Sequence, residues 1–100
     1  MPYVLQDPGE KVDYTFDWTN WLEESGSPSD TITAAVWDIS PINDGSPTEP
    51  ALSGDAINGV YTTVFVNGVL RGGVYRLTCR ATTGMGRIAE QSITIRGGER

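Results

Sequence analysis

In a chain of 100 residues without a single histidine, any chemistry must start from cysteine or from carboxylates. Lacking an imidazole, the sequence closes the Ser-His-Asp and Cys-His routes to an activated nucleophile and removes the commonest transition-metal ligand. Its one cysteine, Cys79, falls in the alternating run Tyr75, Leu77, Cys79, Ala81, which reads as a buried structural thiol on an inward strand face. Asp13 and Asp17 share a strand face, and Asp44 and Asp55 lie in a long polar loop. Neither pair has surroundings that would drive its two pKa values apart, as acid–base catalysis requires. Asn43-Asp44-Gly45 reads as a turn, since it lacks the acidic spacing and closing Glu of an EF-hand. Gly72, Gly73, Gly97 and Gly98 follow arginines but form neither GxGxxG nor a Walker loop. The sequence therefore predicts no enzymatic activity, no cofactor and no metal, and points to a protein that binds other proteins.

Charge says more about the partners. The chain carries 13 acidic and 7 basic residues, for a net charge of −6. Of the acidic residues, 11 precede residue 71, where Lys11 is the only base, whereas all 6 arginines follow. That balance argues against a nucleic-acid partner, because neutralising phosphates needs a basic patch. The apolar runs are too short to cross a bilayer, so no membrane partner is expected. The beginning, Met1-Pro2-Tyr3-Val4-Leu5-Gln6-Asp7, has neither the basic nor the apolar region of a secretory signal, and a lone cysteine suits a reducing compartment. Synthesis in a reducing cytoplasm is the expectation. The residues singled out as partner contacts are Arg76 and Arg80 on one strand face, Asp44 in the long loop, Met85 at the Gly84-Met85-Gly86 tip, and Trp21. The last is read in two ways, as an end plug folded under the core with Leu22 or as an exposed aromatic anchor.

The elements that must position these residues are strands. Val12, Tyr14, Phe16 and Trp18 alternate with Asp13, Thr15 and Asp17, the period-2 pattern of a half-buried strand. Residues 31–39 form a second strand with apolar side chains on both faces: Ile32, Ala34 and Val36 on one, Ala35, Trp37 and Ile39 on the other. Residues 40–55, with three prolines and two glycines, read as a surface loop with a short edge strand near Ala51-Leu52. Asn58-Gly59 and Asn67-Gly68 read as type I′ turn dipeptides bracketing a strand at 60–66. Further strands are expected over 74–82 and 87–96, and residues 97–100 read as a flexible tail. No helix is expected. A length of 100 residues leaves room for one domain, and about seven short strands without helical pattern predict an all-β, immunoglobulin-like antiparallel sandwich. Its core is expected to centre on Tyr14, Phe16, Trp18, Trp37 and Tyr75.

A resemblance adds to this reading. Asp13-Tyr14-Thr15-Phe16-Asp17-Trp18-Thr19-Asn20-Trp21-Leu22, then Asp30-Thr31-Ile32, then Tyr75-Arg76-Leu77-Thr78-Cys79-Arg80-Ala81 and Gly86-Arg87-Ile88-Ala89-Glu90-Gln91-Ser92, resemble a family of small tailed-bacteriophage virion proteins described as fibre-tail adaptors or head-tail structural proteins. The resemblance covers most of the chain outside residues 40–55, where this sequence is longer and richer in proline. It implies an immunoglobulin-like fold and a structural role in the particle, and carries over no catalytic residue. Three roles stand open at this stage: an adaptor or joining subunit of the tail or neck, present in several copies around a symmetric ring and meeting fibre, tail, neck or capsid subunits; a capsid decoration protein; and a bacterial adhesion or carbohydrate-binding module. Because neither metal nor disulfide is expected to hold the core, adding a chelator or a reductant should leave the Tm unchanged. A fall of several degrees with either reagent, followed by calorimetry, would overturn that expectation.

Overall fold

A computed structural model describes residues 3–24, 26, 29–42 and 50–98. Its elements are β1 (Tyr3–Gln6), β2 (Lys11–Asp17), α1 (Thr19–Glu24), β3 (Ile32–Pro41), β4 (Ala51–Asn58), β5 (Tyr61–Asn67), β6 (Val74–Thr83) and β7 (Ile88–Gly97). A four-stranded sheet ordered β1-β7-β6-β3 packs on a three-stranded sheet ordered β2-β5-β4. All pairs are antiparallel except β1 beside β7. This is an all-β, immunoglobulin-like sandwich of seven strands, as the sequence pattern predicts.

Alternation builds the core. Along β6, Tyr75, Leu77, Cys79 and Ala81 are fully buried while Arg76 and Arg80 face outward. Trp18 is fully buried, and its indole N–H donates to the Thr62 hydroxyl at 3.0 Å across the end of the three-stranded sheet. Phe16 meets Trp37 at 5.2 Å between ring centroids and Trp18 at 6.5 Å. Tyr75, at the start of β6, is buried, and its hydroxyl accepts the Leu70 N–H at 3.1 Å. A tyrosine that ties the corner before this strand back to the chain a few residues upstream is a recurring device of immunoglobulin-like sandwiches.

The structure departs from the sequence reading in several places. The expectation of no helix is corrected by α1: the Asp17 carboxylate accepts the Thr19 N–H at 2.9 Å and the Thr19 hydroxyl at 2.6 Å, and the Leu22 N–H donates to the Trp18 carbonyl at 3.0 Å. Six residues are too few to show helical periodicity in the sequence. β1 was not anticipated. It is held by Gln6, fully buried, whose amide donates to the Val66 carbonyl at 2.9 Å and to the Glu10 carbonyl at 3.1 Å while its oxygen accepts the Tyr14 hydroxyl at 2.7 Å. The region read as a loop to residue 55, with a short edge strand near Ala51-Leu52, contains most of β4, a strand of eight residues that pairs with β5. The pairing skips between Ser53 and Ala56, a bulge at Gly54-Asp55 that breaks the alternation by which a strand is recognised.

A second bulge, between Ile32 and Ala34, turns Ile32 onto the same inward side as Ala35, Trp37 and Ile39, so the two-faced pattern of this strand resolves into one buried face with Val36 outside. The hairpin between β4 and β5 is also not of the expected type. Asn58 keeps an ordinary φ and Gly59 alone takes a positive one, 65°, so the loop closes as type II′. Asn67-Gly68 is not a hairpin, since β6, which follows, lies in the other sheet. Gly97 is the buried last residue of β7: its N–H donates to the Gly73 carbonyl and its carbonyl accepts the Gly72 N–H, both at 2.9 Å. A Cβ there would overlap the Leu70 carbonyl, so the close approach requires glycine.

The Trp18–Thr62 bond predicts a specific cost. Thr62→Val keeps the shape but leaves the buried indole N–H without its acceptor, and should destabilise the domain by about 1–3 kcal/mol in urea denaturation. A loss within experimental error would mean that this bond contributes nothing.

Candidate interaction surfaces

Arg76 and Arg80 project from β6 on the outer face of the four-stranded sheet, whereas Asp13 and Asp17 project from β2 on the opposite sheet. The register shows how far the charge split survives folding. Arg80 stands opposite Glu90 on β7 and Val36 on β3, Arg76 opposite Thr94 and Ser40, and Asp38 enters the same face beside Thr78. On β7, Arg96 lies over the Tyr3 ring at 5.0 Å. On the other face Lys11 joins the two aspartates, its ammonium 5.5 Å from the Phe65 ring. The arginines are thus interleaved with carboxylates, and each face carries mixed charge with only a modest bias.

Met85 and Trp21 sit at one end of the sandwich. The Ile32 N–H donates to the Gly59 carbonyl at 2.9 Å and the Gly84 N–H to the Thr31 carbonyl at 3.1 Å, which gathers the start of β3, the β4–β5 hairpin and the β6–β7 turn. Met85, at the tip of that turn, is 71% exposed. The turn is steadied by Asp30, whose Oδ1 accepts the Thr31 N–H at 2.9 Å while Oδ2 is buried without a close partner. Its pKa is nonetheless lowered, because the Thr83 hydroxyl, and then the backbone N–H groups of Thr31, Met85 and Gly84, favour the charged form against the opposing effect of desolvation. Trp21 lies on α1, half-buried, with its ring edge-on to Trp18 at 5.8 Å, and its neighbour Leu22 is buried under the core. It packs as part of the end closure and keeps one exposed flank. Asp44 lies outside the described residues.

Of the groups weighed for catalysis, Cys79 and Asp17 are engaged structurally. Cys79 is buried; desolvation pushes its thiol pKa up, the Thr62 hydroxyl at 3.5 Å opposing, so the reactive thiolate is disfavoured. Asp17 is occupied by Thr19, whose hydroxyl and N–H lower its pKa.

One feature was not legible in the sequence. Between β3 and β4, the outermost strands of the two sheets on one side, runs a cleft of about 300 Å³ lined by Ala35, Val36, Trp37, Leu52, Ser53, Asp55 and Val64. The sequence hides it because only a short edge strand near Ala51-Leu52, rather than the whole of β4, is legible there. The signal that could have found it is the two-faced apolar pattern of residues 32–39.

A family model described as "Podophage GP4 fiber-tail adaptor protein gp77" matches residues 6–96. The chain belongs to this family, and the match spans the sandwich from the end of β1 to the penultimate residue of β7. No curated protein matches the chain.

The Asp30 clamp gives a pH dependence with a defined sign. The folded pKa lies below the unfolded one, so its contribution is fully present at neutral pH and is lost as pH falls below the ordinary carboxylate range through the depressed folded value. Asp30→Asn should flatten this acid limb and speed amide exchange at Gly84 and Met85 at neutral pH. Identical acid limbs and exchange rates would rule the clamp out.

Proposed function

We propose, from the chain's membership of the fibre-tail adaptor family, that it joins tail or neck components to fibres through protein–protein contacts and has no catalytic role. The protein is a structural component of the phage tail and part of the virion. The observation that carries the finer reading is the family match over residues 6–96, which takes in both sheets and the candidate contacts Trp21, Arg76, Arg80 and Met85. The architecture supports it. The core closes without a crosslink, and binding residues concentrate on loops and edges of rigid scaffolds. Asp44, in the segment joining β3 to β4, remains a proposed contact on sequence grounds alone.

A joining subunit works in several copies around a symmetric axis, where heterologous contacts that close by rotation generate a ring. Its residual charge bias then acts on encounter and orientation more than on the lifetime of the contact. Cryo-EM of purified particles should place the protein at the junction between tail and fibres, in on the order of tens of copies per particle as ring symmetry dictates. Particles assembled without it should package DNA but lack fibres. Distribution over the head in hundreds of copies would replace this reading with capsid decoration.

A further inference from the structure

β3 is ten residues long and, among the described residues, pairs with β6 alone. The Ile42 N–H donates to the Val74 carbonyl at 2.8 Å, and facing alternates along an antiparallel ladder, so Ser40, Asp38, Val36 and Ala34 turn their backbone groups to β6. Ala35, Trp37 and Ile39 therefore present theirs away from the sheet. Pro41, next in that series, has no N–H to present, which fits an edge. Soluble proteins blunt long edges with charge, proline or bulges, because unpaired edges template strand addition. Here the bulge and the proline stand at the two ends, and the stretch between carries Asp38 as its one charge and Val36 at 66% exposure.

Beside this edge lies the cleft toward β4, and Trp37, which lines it, has its indole N–H buried with no acceptor. Buried donors are almost always paired, so this one is costly in the free domain, and an acceptor can reach it only as the ring turns toward the cleft. We propose that an extended segment of another virion protein adds as a strand to the β3 edge, fills the cleft with an apolar side chain, and, with that turn of the Trp37 ring, supplies an oxygen acceptor to Nε1. Backbone pairing supplies the affinity of such a contact and the cleft its selectivity. Asp38 and Asp55 flank the site and no described cation lines it, so the segment carries Lys or Arg beside its apolar residue. A second copy of this chain is the poorer occupant: it brings a net charge of −6 and another Asp38 on the pairing strand. The proposal rests on the adaptor reading above and names the kind of contact it makes.

The test uses assembled particles carrying benzoylphenylalanine at Val36, at Ser53, or at Thr15 on the outer face of the other sheet, with irradiation and peptide mapping. Val36 and Ser53 should both crosslink to the same short segment of a different virion protein, and Thr15 should not. Trp37→Phe, which keeps an aromatic six-membered ring but removes the donor with the rest of the indole, should leave the isolated domain folded. In assembly competition it should nevertheless be incorporated about tenfold less well than wild type. Crosslinks to a second copy of this chain, no crosslink at Val36 and Ser53, or equal incorporation of Trp37→Phe would each overturn the strand-addition proposal while leaving the adaptor reading intact. Absence of the protein from purified particles would overturn both.

Discussion

Trp18 is where the separate parts of this domain meet. Its indole N–H reaches Thr62 on β5, its backbone N–H donates to the Val60 carbonyl at 3.0 Å in the β4–β5 hairpin, and its carbonyl accepts the first bond of α1. One fully buried residue thus fixes where β2 leaves its sheet, how the hairpin sits against it, and how α1 brings Leu22 under the core. Truncating a large buried aromatic of this kind typically costs about 3–5 kcal/mol, a large part of the total stability of a small domain. With a single cysteine and so no internal disulfide, the sandwich depends on packing at this end and on Tyr75 and Gly97 at the other.

The two long sides of the sandwich are closed differently. On the side of β1, Gln6 reaches from the four-stranded sheet to Val66 and Glu10 and receives Tyr14, so a buried polar side chain satisfies its hydrogen bonds by tying the layers together. On the side of β3 and β4 no such staple is seen among the described residues. A bulge diverts β4 where it passes Asp55, the cleft opens beside it, and the Trp37 N–H is left without an acceptor. Satisfied buried networks rigidify and unsatisfied ones are costly, so the two sides differ in what they leave unmade, and the proposed strand addition falls on the open one.

The central strands were legible in the sequence because their burial is one-sided: Val12 to Asp17 and Val74 to Thr83 alternate without interruption, and Cys79 and Tyr75 lie where the alternation puts them. What escaped the pattern did so for local reasons. Gln6 reads as a surface residue until its three partners, contributed from elsewhere in the chain, are known. β4 hides behind Gly54, and α1 depends on a side-chain bond two residues long. The outward series Arg76 and Arg80 was visible, but the carboxylates that temper it, Glu90 and Asp38, come from neighbouring strands that only the register reveals.

That tempering bears on what can hold an assembled contact together. Exposed charges more than about 8 Å apart are largely screened at physiological ionic strength, so faces as mixed as these steer an encounter without fixing its lifetime. Differences in lifetime arise from groups that lose water on binding and can leave nothing unpaired. Among the described residues, the outward backbone atoms of Ala35, Trp37 and Ile39 are groups of that kind. An adaptor built on them would orient through its faces and hold through its edge, and its selectivity would then be set by the side chain that the cleft admits rather than by net charge.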